Sequence, residues 1–144
     1  MSFGNVAESN VLKLIFNSTA WANIAENDTT APETDLGVAL HTADPGEAGT
    51  QLTNEAVYTS YSREDRTRAG TSAWTVSGTA PTQVVPAANI DFTEATGGSE
   101  TETFFSIGEA ANDNLILSGA IAPTIVVSTG VTPRLTTATL ITLE

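Results

Sequence analysis

From Leu36 to the C-terminus the chain is interrupted at short, fairly even intervals by turn signals. They are Asp44-Pro45-Gly46, Gly70-Thr71-Ser72, Ser77-Gly78-Thr79, the run from Ala95 to Ser99, and Asn112-Asp113-Asn114. Each combines residues that preset φ, tolerate positive φ or bond their own backbone, so each is a place for the chain to reverse. The intervals leave no room for the long helices that connect parallel strands. An antiparallel β-sandwich or barrel, jelly-roll-like, is therefore expected over residues 36–144, preceded by a short helical arm within residues 1–30, all in one domain. Strands are expected at 37–41, 56–63, 73–77, 89–93, 102–107, 115–121, 124–128 and 136–143. In 56–63 the alternation sets Val57, Thr59 and Tyr61 on one face and Tyr58, Ser60 and Ser62 on the other.

The same period of two nominates a core of Val38, Leu40, Tyr61, Trp74, Val76, Ile90, Phe92, Phe105, Ile107, Leu115, Leu117, Ile121, Val126, Leu135 and Leu140. Ahead of the β region, Val11, Leu14, Ile15, Ser18, Trp21, Ala22 and Ala25 recur at helical spacing over residues 7–26. Ser9 or Asn10 would cap one amphipathic helix or two short ones, the second arising where the poor helix formers Asn17-Ser18-Thr19 could cap a new start at Ala20. Residues 27–35, polar and containing Pro32, read as the connector to the first strand.

With 144 residues the chain is long enough to bury a core, and without Cys it can hold neither disulfides nor thiolate metal sites. Charged residues make up 15%, against roughly 25% in ordinary soluble domains. Thr, Ser, Ala and Asn fill the difference, as suits exposed antiparallel sheets. The net charge of −12 opposes nucleic-acid binding, which needs clustered Lys and Arg to neutralise phosphates. Arg63, Arg66 and Arg68 do cluster, but Glu64 and Asp65 lie among them. No segment is apolar for long enough to cross a bilayer and the N-terminus lacks the pattern of a signal peptide, so synthesis in a cytoplasm is expected, and no membrane partner.

Catalytic chemistry finds little to work with. His41 is the only histidine, and Asp44, Ser60 or Ser62 could approach it, but no nucleophile elbow or similar signature accompanies them. The simpler reading ends a strand at His41 and gives its ring a hydrogen bond near the Asp44-Pro45-Gly46 turn. Carboxylate pairs such as Asp91 with Glu94 and Glu100 with Glu102 read as a solvated acidic surface. Asn112-Asp113-Asn114 offers oxygen ligands without the loop pattern of a calcium site, and reads as a hairpin turn. No enzyme activity and no cofactor is expected.

Three blocks carry a resemblance: Leu40 to Arg63 (LHTADPGEAGTQLTNEAVYTSYSR), Ser72-Ala73-Trp74-Thr75-Val76, and Phe105-Ser106-Ile107-Gly108. With the N-terminal segment from Thr19 to Ala25 and Val131-Thr132-Pro133, they make the chain resemble small bacteriophage virion proteins usually labelled tail-fibre-like. The resemblance implies a non-enzymatic structural component of the virion, made in the host cytoplasm, homo-oligomeric and bound to other capsid or tail proteins. Capsid decoration of the phage head and carbohydrate binding at the host surface are the alternatives, the second supported by no more than a few aromatics. Candidate interface residues are Phe16, Trp21, Asp44, Pro45, Tyr58, Arg63, Arg66 and Arg68.

Overall fold

A computed structural model describes residues 5–21, 33–68, 70–79 and 81–143. The protein is mainly β, with antiparallel sheets and one short N-terminal helix, the class its turn spacing predicts. Contacts divide it into two compact units. The first comprises the described residues of Met1–Thr34, Thr67–Asn89 and Thr136–Glu144; the second comprises Asp35–Arg66 and Ile90–Leu135.

In the first unit, α1 (Asn5–Asn17) buries Leu12 and Phe16, which lie four residues apart and hence on one face. Phe16 meets the ring of Trp74 edge-on at 5.0 Å. The helix starts ahead of Ser9 and Asn10 because Ala7 and Glu8, at home in helices, extend it backwards. It ends where Asn17-Ser18-Thr19 predicts a break. Ser18 turns to φ 50° in the left-handed region, and the Thr19 amide bonds back to the Lys13 carbonyl six residues earlier, closing the helix end. The expected continuation over residues 22–26, and most of the expected connector, lie outside the described residues.

β3 (Trp74–Ser77), β4 (Thr82–Pro86) and β9 (Ile141–Leu143) form an antiparallel sheet in the order β3-β4-β9, against which α1 packs. Trp74, Thr82 and Val84 are buried there. Residues 82–86 are not among the expected strands, yet they form β4. Pro86 is accommodated because it pairs with Trp74 at the strand's end, where a missing N–H costs least.

The second unit holds a sheet in the order β2-β1-β6-β7, made of β2 (Glu64–Thr67), β1 (Asp35–His41), β6 (Ser99–Glu109) and β7 (Leu115–Ser128). β5 (Ile90–Asp91) pairs with β8 (Arg134–Leu135). β1 sits inside the larger sheet, is buried from Leu36 to His41, and pairs Val38 with Ile107 and Leu40 with Phe105 on β6. The hairpin between β6 and β7 turns at Asn112-Asp113-Asn114 as expected, with the Asn114 amide on the Asn112 side chain at 2.8 Å.

Three expectations are corrected. Residues 56–63 do not form a strand and touch strand geometry only at the single bridge of Thr59 to Gly97. Ser60, at φ 82°, breaks the extended run, and the amides of Val57 and Tyr58 bond the Glu100 carboxylate in place of a neighbouring strand. Residues 115–121 and 124–128 form one strand, because the residues around Pro123 bulge outward without ending it. Val126 and Leu140 are exposed, not core, since their partners on the alternating pattern, Val127 and Ile141, face inward.

Candidate interaction site

Four of the eight candidates, Asp44, Pro45, Tyr58 and Arg63, lie in the loop of residues 42–63, between β1 and β2 in sequence. It begins with an Asx turn, the Asp44 carboxylate accepting from the Gly46 amide at 2.8 Å. Asp44 is exposed and Pro45 buried. Gly49 follows with no room for a side chain, since a Cβ there would stand 2.1 Å from the Pro45 carbonyl oxygen. Asn54 at φ 55° and Ser60 at φ 82° hold conformations that cost energy outside glycine, so their surroundings must over-determine them.

The Asn54 side-chain amide donates to the Asp44 carbonyl at 3.0 Å, and the Ser60 hydroxyl bonds that of Thr96 at 2.5 Å. A buried polar network anchors the loop beside them. The His41 ring donates from Nδ1 to the Thr53 carbonyl at 2.9 Å, because a carbonyl can only accept. The neutral ring then presents Nε2 as an acceptor to the Ser106 hydroxyl at 2.8 Å, and Ser106 Oγ accepts in turn from the Gln51 amide at 3.2 Å. Gln51 also donates to the Gly37 carbonyl at 2.9 Å. Every direction in this chain is fixed by the neutral tautomer, and burial pulls the ring below the usual imidazole range. His41 thus ends β1 as expected, but it bonds to Thr53 and Ser106 and not to the turn. Ser106 and His41 have the spacing of a nucleophile and its base, yet both are fully buried and the hydroxyl is engaged on both sides.

A second cluster pins the far end of the loop. Arg63 grips Glu55 with two parallel bonds, Nε to Oε1 at 2.6 Å and Nη2 to Oε2 at 2.8 Å, and reaches Asp113 at 2.8 Å. These acids hold its guanidinium even more firmly charged than usual, most through the Glu55 bonds. Glu55 also accepts from the Tyr61 hydroxyl, which itself accepts from the Leu40 amide, both at 3.1 Å. Tyr61 stacks on Phe92 and meets Tyr58 edge-on.

Apart from Tyr58, the remaining candidates lie outside this loop. Phe16 is fully buried in the first unit and Trp21 is half-buried. Tyr58, expected on the face away from the core, is buried, its hydroxyl donating to the Thr93 carbonyl at 3.0 Å; burial raises it to about 12. Arg66 pairs loosely with Glu64 at 3.7 Å. Arg68 caps α1, donating to the carbonyls of Leu14 and Ile15 and to that of Glu33. The three arginines therefore serve three separate sites and form no common basic surface.

The sequence reading missed Leu52 and Val57. They are 62% and 81% exposed on the pinned loop, large apolar side chains held out by a backbone that cannot relax to bury them. Inverting the alternation of residues 57 and 58 would have found Val57. Glu102, expected on a solvated acidic surface, is instead enclosed on β6 with no exposed surface and no hydrogen-bond donor to either carboxylate oxygen. Desolvation, with Glu100 beside it, raises Glu102 to about 8, so it stays a neutral acid at neutral pH and can donate to Glu100. Among the described residues no cluster of three or more His, Cys, Asp or Glu is placed to hold a metal ion, and no helix is long and apolar enough to cross a membrane.

These features describe a β scaffold whose reactive side chains are enclosed and whose rigid loop presents apolar side chains outward. Residues 2–142 match the family described as podophage GP4 fiber I protein gp80. The chain belongs to that family of phage fibre proteins, and so to the components of a virion. No curated protein matches the chain.

Proposed function

We propose that this phage fibre protein is a non-enzymatic building block, made in the host cytoplasm and held in the virion by several protein contacts, with the loop of residues 42–63 as one contact surface. The observation that carries the reading is the pairing of rigidity with exposure. Leu52 and Val57 project from a loop fixed by the His41, Gln51, Ser106, Arg63 and Glu55 network. A pre-ordered apolar projection loses little entropy when a partner covers it, which is how small contacts become useful. Repetition of such contacts over many copies makes each later one effectively intramolecular. The enclosed His41 and Ser106 pair supports a structural role, because no substrate can reach it without opening the core.

The test replaces Leu52 and Val57 together with Asp. The variant is expected to keep its circular dichroism and melting temperature, since both side chains are exposed, and to be lost from purified particles when supplied in place of the wild type. Normal incorporation would refute the loop as a contact. Affinity of the isolated protein for host polysaccharide would favour carbohydrate binding, and a copy number near that of the capsid subunit would favour decoration of the head.

A further inference from the structure

The two edges of the larger sheet are built in opposite ways. β2, Glu64–Thr67, is four residues long with three charged side chains, a short and charged edge of the kind that discourages further pairing. β7 is the other outermost strand, 14 residues long, and its sequence LILSGAIAPTIVVS contains no charge at all. Its outer side meets no other described strand. Pro123 and the bulge around it do interrupt the edge. Glu102 pairs with Ile125 and Phe104 with Ala120, so residues 121–124 stand opposite Thr103 alone. That leaves two arms, 115–120 and 125–128, the longer with one extra residue at Ile116, because Ile107 pairs with Leu117 and Gly108 with Leu115. On the longer arm Ile116, Ser118 and Ala120 are exposed, while Gly119 turns inward against Phe105.

We propose that the 115–120 arm of β7 pairs with the same arm of a second copy, extending the sheet across two chains. An open strand offers donors and acceptors to any extended segment, so charge must select the occupant. Copies that each carry −12 repel one another, and an uncharged strand keeps like charges out of the contact itself. Antiparallel pairing about a two-fold axis sets the arm against itself. Ile116, Ser118 and Ala120 then become cross-strand neighbours, and no ionised side chain on the arm faces a like charge. This rests on the reading of the protein as an assembling virion component and names the contact by which it would assemble.

The experiment is light scattering with size-exclusion chromatography on the full chain, using Ser118→Glu and Ser118→Lys. The wild type is expected to run as a dimer or a multiple of one. Each variant alone should dissociate at least ten-fold more readily, with an unchanged circular dichroism spectrum because Ser118 is exposed. Mixing the two variants should restore association, since opposite charges then face each other across the pair. A wild type that stays monomeric at high micromolar concentration would overturn the proposal, as would variants that associate normally or a mixture that shows no recovery. Mass spectrometry of purified virions separates the two readings. Protein present in particles with β7 variants still oligomeric would sink the edge contact alone, whereas absence from particles would sink the structural role.

Discussion

Glu102 shows how much one side chain can disclose when burial and bonding disagree. An ionised carboxylate with no donor, next to Glu100, would be costly, and its proton is held up to about pH 8. The unfolded chain releases that proton near 4.5. Between these values the folded state binds more protons than the unfolded one, so the contribution of Glu102 is fully present below pH 4.5 and is lost as pH rises through 8. His41 acts on the other side. Its folded value lies below the 6.5 of the unfolded ring, so its contribution is present above about 6.5 and is lost as pH falls further. Glu102→Gln is therefore expected to leave stability near pH 5 within about 1 kcal/mol. At pH 9 it should raise stability by on the order of 3 kcal/mol, leaving the acid limb set by His41 intact. Urea denaturation at the two pH values checks this; an equal effect at both would mean that Glu102 is already ionised in the fold.

At the scale of elements, the strands that could be read were those whose partners also obeyed the alternation. Residues 37–41, 73–77 and 102–107 carry their own apolar period and pair with strands that share it. The stretch 56–63 alternates just as well, but the amides of Val57 and Tyr58 are taken by the Glu100 side chain, and no local pattern reveals a bond 42 residues away. The polar network was equally hidden. Gln51 looks like an ordinary loop residue, and its place is visible only through Gly108, where a Cβ would stand 2.3 Å from the Gln51 side chain and 2.5 Å from the Asn114 carbonyl oxygen. Gly108→Ala is accordingly expected to cost about 1–3 kcal/mol by overpacking, with a lower melting temperature and faster amide exchange around Gln51. A neutral result would show that the loop can lift from β6 without penalty, and would remove the rigidity on which the role of Leu52 and Val57 depends.

For the whole molecule, connectivity and charge have separate consequences. The chain passes between its two compact units four times, at the boundaries after residues 34, 66, 89 and 135, so neither unit is a continuous segment that could be cut free. We take the 144 residues to fold as one cooperative domain. Trp74 reports on the first unit and the Tyr58 and Tyr61 pair on the second. Tryptophan fluorescence and tyrosine near-ultraviolet dichroism should thus give the same melting curve, and two separated midpoints would divide the domain. Charge governs what copies do next. Asp44 and Glu47 border the cleft along Leu115–Ser118, so pairing through β7 brings acids of two copies near each other while the contact itself is neutral. Salt shortens the range of that repulsion from about 10 Å at 0.1 M to about 3 Å at 1 M and leaves backbone hydrogen bonds and apolar contacts in place. Self-association should therefore strengthen several-fold as sodium chloride rises over that range, measured by sedimentation equilibrium. Contacts built from ion pairs through Lys13 or the arginines would instead loosen with added salt, and that outcome would move the interface away from β7.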